Sequence, residues 1–206
     1  MRILITAGPT REAIDPVRYI GNRSSGKMGA ALAAAAVKAG HQTTIIVGPV
    51  TEPIMAGARR IDVETAAEML AAVMEEFPAH DLLIMSAAVA DYRPVAASAQ
   101  KLTREGGRVL QLEPTEDIVA AAGKIKKAHQ RTVGFSLESS PDMDRVRGKM
   151  KQKNLDLMVY NPVATIGAET IQPALLHGDG RIEVIESRSK ADFADMLIER
   201  AERLFV

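Results

Sequence analysis

The chain contains no cysteine. Disulfide scaffolds, thiolate metal sites and a cysteine nucleophile are therefore excluded together. Tryptophan is also absent, and aromatics make up 3% of the 206 residues. That is too few for a surface that stacks bases, so nucleic acid is not an expected partner. Neither sign of charge predominates: 26 basic and 26 acidic side chains cancel to a net charge of zero. Uniform attraction to DNA or to an anionic bilayer is excluded, and only a local patch could hold an anion. Long apolar runs are missing too. The longest, Met28 to Val37, has ten residues between Lys27 and Lys38, about half of what crosses a bilayer. The opening MRILITAGPT carries only a brief apolar stretch, so no signal peptide and no membrane association are expected. The histidines (His41, His80, His129, His177) are widely spaced and suggest neither a metal site nor a triad. The expectation is a cytoplasmic protein with residues 1–206 as a single domain.

What is present is an alternation of strands and helices. Ile3–Thr6 reads as a buried strand closed by Gly8-Pro9, and a long polar loop follows through Asn22. Gly26–Ala39 reads as an alanine-rich helix, and Thr43–Val47 as a β-branched strand. Ala66–Phe77 is helical, with Thr65 and Glu68 placed as a capping box. Leu82–Met85, Thr132–Leu137 and Leu155–Tyr160 are further strands, with a short one at Val109–Leu112. Ile118–Ala128, Asp142–Gln152 and Ala191–Leu204 are helices. Leu175–His177 and Ile182–Ile185 flank Gly178-Asp179-Gly180 as a hairpin. Apolar strands alternating with helices give an α/β fold: a Rossmann-like, three-layer, doubly wound, mainly parallel sheet with a late antiparallel hairpin. Ligands of such sheets sit past the carboxyl ends of the strands. Attention falls on Thr6–Gly29, Ser86–Arg93 and Phe135–Ser139. Gln100–Gly107, polar and charged, reads as a flap.

Ser24-Ser25-Gly26 at a helix start offers backbone N–H groups and the positive end of a helix dipole, which suit a phosphate. The same residues also read as a serine N-cap followed by a glycine for helix packing. Gly21 to Lys27 spells G-x-x-x-x-G-K, but Met28 stands where a P-loop needs Ser or Thr, and no strand runs into it. A true P-loop is rejected, and G-x-G-x-x-G is absent. Asp91, after the small residues Ser86 to Ala90, could accept from hydroxyls or reach a metal through water; it could equally cap a turn before Pro94. Arg145, Lys149 and Lys153 lie four apart, either as a ligand-facing row or as a solvated helix face.

Together these segments are far more specific than separately. Thr6-Ala7-Gly8-Pro9-Thr10-Arg11-Glu12 through Asn22-Arg23-Ser24-Ser25-Gly26-Lys27-Met28-Gly29 resembles the opening of phosphopantothenate–cysteine ligases. Ala87-Ala88-Val89-Ala90-Asp91-Tyr92-Arg93-Pro94 resembles that family's second signature. Lys101 falls where the family keeps a flap lysine, and Lys153-Asn154-Leu155-Asp156 with Asn161 resembles its late motif. The resemblance covers nearly the whole chain. It implies a ligase of coenzyme A biosynthesis that joins phosphopantothenate to L-cysteine with CTP and Mg2+, through an acyl-cytidylate. No protein nucleophile is needed for that chemistry, so the missing cysteine does not count against it.

The resemblance also implies site residues. Met85, Ser86 and Ala87 would line the cytidine site, and Asp91 the ribose or metal-phosphate region. Glu116, Asp117, Ile118 and Val119 would form a nucleotide-contacting turn. Phe135 would pack on the base, and Lys149 and Lys153 would contact the nucleotide. Lys101 is expected to form the acyl-nucleotide, Asn22 to convert it, and Arg18 to meet phosphopantothenate. Arg18 and Asn22 lie in a segment found at the family's dimer interface, so a homodimer with a shared site is implied. A flavin-dependent phosphopantothenoylcysteine decarboxylase, fused or separate, is the implied partner. The sequence departs from the family at Thr115-Glu116-Asp117-Ile118, at Phe135-Ser136-Leu137-Glu138-Ser139 and in its flap, which keeps one lysine and one arginine. A silent nucleotide-binding module and an NAD(P)-dependent oxidoreductase are the alternatives from other classes.

Overall fold

Short apolar runs such as Ile3-Leu4-Ile5 have no polar face, so each strand must be covered on both sides. The chain meets that demand with one sheet between two helical layers. The computed structural model describes residues 1–50, 53, 56–104, 106–138, 143–162 and 170–206. The sheet is built from β1 (Arg2–Ala7), β4 (Gln42–Val47), β5 (Arg59–Asp62), β6 (Leu82–Met85), β9 (Arg131–Glu138), β10 (Leu157–Pro162), β12 (Ala174–His177) and β13 (Ile182–Val184). Their spatial order is β13-β12-β10-β9-β6-β1-β4-β5. From β5 across to β10 all pairs are parallel, and β12 and β13 add antiparallel strands at one edge. The chain builds outward from β1 to β4 and β5, then returns to lay β6 on the other side of β1. The order therefore reverses between β1 and β6, which is where such folds open a ligand crevice.

Neighbouring residues of β1 serve opposite layers. Ile3, Ile5 and Ala7 pack with α1 (Lys27–Lys38) and α5 (Lys190–Glu202), through Leu32, Ala36, Phe193 and Leu197. Leu4 packs in the other layer with α2 (Ala66–Glu76) and α3 (Ile118–Ile125), against Met69, Val73, Phe77 and Ile118. A third cluster, Val146, Met150, Leu155, Met158 and Leu176, seats α4 (Met143–Gln152). Thr65 caps α2 by accepting from the Glu68 N–H at 3.1 Å, as the capping box predicts. The reciprocal Glu68 bond goes to the N–H of Glu64, one residue earlier than the motif expects.

Several boundaries differ from the sequence expectation. The loop after β1 holds an antiparallel pair, β2 (Arg11–Ala13) with β3 (Tyr19–Gly21). The strand expected at Val109–Leu112 is β8 (Leu112–Pro114), paired with β7 (Tyr92–Pro94). Helix α3 stops at Ile125 rather than Ala128. Strand β5, Arg59-Arg60-Ile61-Asp62, has charged residues along a sheet edge and so no apolar run to betray it. A further short pair, β11 (Thr170–Ile171) with β14 (Arg188–Ser189), was not expected. Ser139 and Asp142 lie outside the described residues.

Helix α1 lies close on β1 because Gly29 has no side chain. A Cβ there would stand 2.3 Å from the Ala7 Cβ and 2.9 Å from its Cα. Gly29→Ala should therefore destabilise the fold by about 1–3 kcal/mol, by overpacking. The readout is a lower denaturant midpoint with an unchanged slope. Gly107→Ala, with open space around the added methyl, should stay within about 0.5 kcal/mol of the parent.

Candidate active site

The loops that follow β1 and β6 are joined to each other. Ala88 N–H donates to the Gly8 carbonyl at 2.8 Å, and Thr10 N–H returns to the Ala88 carbonyl at 3.4 Å. Side chains reinforce the seam: Thr10 Oγ1 accepts from Ala90 N–H at 2.9 Å, and Ser86 Oγ donates to the Thr6 carbonyl at 2.6 Å. This seam forms the wall between two adjoining hollows at the strand ends.

The larger hollow holds about 750 Å3. It gathers Asn22, Met85, Ala87, Asp91, Glu116, Asp117, Ile118, Val119, Phe135 and Lys153, residues drawn from most of the length of the chain. The smaller holds about 200 Å3 and is lined by Ser24, Ser25, Gly26 and Ser86. Ala87 and Phe135 line both. Arg18, Lys101 and Lys149 line neither. Arg23, Leu137 and Ala88, which lie in the strand-end segments singled out above but were given no role there, border both hollows, and Lys190 at the start of α5, outside those segments, borders the smaller. Asn161, already noticed in the late motif, is buried beside the smaller hollow, and its Oδ1 has no hydrogen-bond partner among the described residues.

Helix α1 presents its N-terminus to the smaller hollow. Its cap is Gly26, at φ 80°, and not a serine, so the serine N-cap reading is corrected. A left-handed residue is needed there to turn the chain into the helix, and glycine adopts it without cost. A Cβ on Gly26 would also meet the Val50 side chain at 2.6 Å. Ser24 and Ser25 make only long contacts of 3.4 Å to backbone N–H groups, and the first turn carries no acidic residue. A helix start whose first N–H groups are held at this length, and whose described first turn carries no carboxylate, suits an anion.

Asn22 fixes its amide by donating from Nδ2 to the Val89 carbonyl at 2.8 Å. Asp117 caps α3 by accepting from Ala120 N–H at 3.0 Å and pairs with Lys153 Nζ at 2.9 Å. Burial works to raise the Asp117 carboxyl, but the Lys153 hydrogen bond and the α3 backbone donors outweigh it. The net effect holds it below the usual carboxylate range. Lys153 follows Lys149 by one turn at the end of α4: its N–H donates to the Lys149 carbonyl at 3.0 Å, its ammonium pairs with Asp117, and Asn154 then turns the chain at φ 53°. Asn154 Nδ2 donates to the Gly123 carbonyl at 3.0 Å, which fastens that turn to α3.

Among the described residues no three histidine, aspartate or glutamate side chains cluster as a metal cage. The carboxylates on the larger hollow, Asp91 and Glu116, are suited to an ion that is carried mainly by phosphates and water, as magnesium is.

The sequence profile described as DNA/pantothenate metabolism flavoprotein C-terminal domain matches residues 1–204. A relative named cysteine/cysteine sulfinic acid decarboxylase, from an unknown prokaryotic organism, is 43% identical over 205 residues, covering 97% of this chain and 57% of that protein. The coenzyme A biosynthesis bifunctional protein CoaBC of Bacillus subtilis (strain 168) is 41% identical over 208 residues, covering 98% of this chain and 51% of that protein. The chain thus spans about half the length of these curated relatives. The crystal structure of the C-terminal domain of a coenzyme A biosynthesis bifunctional protein CoaBC matches with a TM-score of 0.85 at 34% identity. The match covers 98% of this chain and 94% of that one.

Two changes test the Lys153 arrangement. A Cβ on Gly123 would lie 2.3 Å from the Lys153 carbonyl oxygen. Gly123→Ala should thus push the 153–154 backbone off α3 and destabilise by about 1–3 kcal/mol. Asp117→Asn tests the charge. A lowered folded pKa contributes stability above the unfolded value of about 4, and that contribution is lost as pH falls through the folded value. The cost of Asp117→Asn, read from denaturant midpoints, should therefore be full near pH 7 and shrink below about pH 4.

Proposed function

The chain belongs to the DNA/pantothenate metabolism flavoprotein C-terminal domain family, and from that membership we propose that it is a phosphopantothenate–cysteine ligase. It joins 4'-phosphopantothenate to L-cysteine with CTP and yields phosphopantothenoylcysteine, CMP and pyrophosphate. The observation that carries this reading is the larger hollow. Asn22, Asp91, Asp117, Phe135 and Lys153, which the family resemblance marks for nucleotide and substrate, meet around one space.

The chemistry follows from the residues. A carboxylate repels nucleophiles and has no good leaving group. An oxygen of the phosphopantothenate carboxylate attacks the α-phosphorus of CTP, the bond to the bridging oxygen breaks, and pyrophosphate leaves with those electrons. The cysteine amine then attacks the acyl carbon, CMP leaves, and the amine loses a proton. Every step asks for positioning and charge neutralisation, not for a protein nucleophile. The strand-end residues Met85, Ser86 and Ala87 seat the cytidine with Phe135 beside it. The Gly26 end of α1 faces the phosphates with its N–H groups. Lys153, held by Asp117, stands at the nucleotide side, and Lys101 neutralises the charge that gathers during the first step. Magnesium, bound with the nucleotide, supplies further neutralisation, with Asp91 and Glu116 as the side chains that would hold it.

Arg18 and Lys101 lie outside both hollows, and the loops beside them expose Val17, Tyr19 and Val109, the last at 89%. A homodimer that covers these side chains and shares its sites accounts for both facts. A cytoplasmic location and a flavin-dependent decarboxylase partner accompany this reading. Among the described residues no helix is long and apolar enough to cross a membrane.

Incubation with phosphopantothenate, cysteine, magnesium and CTP should release pyrophosphate and CMP in equal amounts. No release from the folded protein with either CTP or ATP rejects the reading. Lys101→Gln should slow acyl-cytidylate formation by about two to three orders of magnitude. Asn22→Asp replaces a donor with a carboxylate facing the Val89 carbonyl. It should let acyl-cytidylate form and accumulate, visible by rapid quench, while product appears slowly.

A further inference from the structure

Asp15 is a buried carboxylate that the proposed reaction leaves without a task. Its two oxygens are used differently. Oδ1 accepts from the Val17 and Arg18 backbone N–H groups, each at 2.8 Å, and so closes the local turn. Oδ2 accepts from Arg18 Nε at 2.8 Å, from Arg18 Nη2, and from the Leu102 N–H at 3.1 Å. Arg18 Nη2 also donates to the Leu102 carbonyl at 2.8 Å. A second backbone bond, from Ser98 N–H to the Ile14 carbonyl at 2.9 Å, ties the base of the flap to the same loop. A turn needs only Oδ1. The other oxygen is given to Arg18 and to the residue adjoining Lys101.

The geometry points to Asp15 as a positioning residue that fastens Arg18 and the Lys101 flap into one arm, so that guanidinium and ammonium reach the same reacting groups together. This rests on the ligase reading, in which Arg18 meets phosphopantothenate and Lys101 serves acyl-cytidylate formation. Leu102 Cα lies about 3.8 Å from that of Lys101, so fixing the Leu102 amide and carbonyl sets where the lysine stem begins. A carboxylate surrounded by donors stays charged: the Arg18 hydrogen bond holds Asp15 well below the usual carboxylate range against its burial. Removing one oxygen's acceptor role would leave the half-exposed Arg18 guanidinium and the Leu102 N–H without their partner on the buried carboxylate.

Asp15→Asn makes that change with little loss of volume. An amide can keep one oxygen on either set of donors, but its NH2 then confronts the other set. In the full chain the variant should leave the KM for CTP unchanged and raise the KM for phosphopantothenate. It should slow acyl-cytidylate formation by about a hundredfold, the cost of a small misplacement of a reacting partner. Limited trypsin digestion should cut at Lys101 and Arg104 several times faster than in the parent. At saturating phosphopantothenate, where the Arg18 effect on binding no longer shows, Asp15→Asn in a Lys101→Gln background should slow that step by less than about threefold, because the remaining effect acts through the lysine. Parent-like cleavage and kinetics, or effects that multiply in the double variant, would overturn the proposal. Should Asp15→Asn fail to fold, the cysteine-free chain offers a second route through Ile14→Cys with Ser98→Cys. Oxidised, it should still form acyl-cytidylate; loss of that step on oxidation with recovery on reduction overturns the arm. Failure of the ligase reading shows separately, as absence of pyrophosphate release from the parent, while the trypsin comparison still reads the tether.

Discussion

The contact on which the site depends is the seam between the loops after β1 and β6. Backbone bonds between Gly8, Thr10 and Ala88, and the threonine hydroxyls of Thr6 and Thr10, continue the sheet past its last parallel pair, Thr6 with Met85. Pro9 and Ala88 even form an isolated bridge of the parallel kind. Without this continuation two loops would leave neighbouring strands and diverge, as loops at a switch point usually do. With it, the 86–91 segment becomes a rigid partition. One side holds the N-terminus of α1, and the other holds the capped start of α3. The α1 N-terminus then faces one hollow, while Lys153, paired with the Asp117 carboxylate that caps α3, faces the other from the opposite layer.

Acids that bind distant segments carry a second level of organisation. Glu12 accepts from the Ala66 N–H at 2.8 Å and so ties β2 to the start of α2. Asp15 joins its own turn to the flap, and the exposed Asp117 joins α3 to Lys153. Each of these carboxylates reaches a donor far away in sequence. For the buried Glu12 and Asp15 a charge without partners would be costly, so these two also specify which distant segment must be present for the chain to close. Lys126 plays the cationic version at the other end of the sheet. It is bound to Asp156 at 2.9 Å and to the Asn154 carbonyl at 2.6 Å. That contact lies directly beneath Lys153 in sequence. The residue expected at the nucleotide is thus braced by Gly123 and Asn154 on one side and by a near-buried ion pair on the other.

The doubly wound sheet was legible because its signal is strong: Ile3-Leu4-Ile5, Leu82 to Met85 and Leu157-Met158-Val159 have no polar face. The pair β2–β3 and the strand β7 were not legible, and β8 was expected three residues too early. Their residues alternate charge with apolar side chains that remain exposed, such as Tyr19 and Tyr92. Their pairing is fixed by remote bonds, among them Arg11 N–H to the Glu64 carbonyl at 2.8 Å. The site divided the same way. Residues just past a strand or at a helix start, Ser86 to Asp91 and Ser24 to Gly26, follow from topology. Lys153 was found for an incomplete reason. Spacing placed it one turn beyond Lys149, where its N–H does bond the Lys149 carbonyl, but only the fold shows that Asp117, 36 positions earlier, is its partner. Arg23 and Leu137 lie in segments the sequence marked but with no individual role, and Lys190 carries no sequence signal; they become neighbours through a sheet order that no single segment encodes.

The proposed chemistry makes opposite demands on the parts of this site. An acyl-cytidylate is open to attack by water, so the activated acid has to be shielded, yet three substrates must enter and three products leave. A site built wholly from the sheet ends would satisfy the first demand and obstruct the second. The fold separates them. In the proposed reading the surfaces for nucleotide and phosphates lie on the partition and the helix starts, whose backbone groups are bonded into the sheet. Arg18 and Lys101 sit instead on a pair of loops that line neither hollow, joined through one carboxylate. On that reading the cations that assist the bond changes are carried apart from the surfaces that hold the nucleotide, so the two demands fall on different segments.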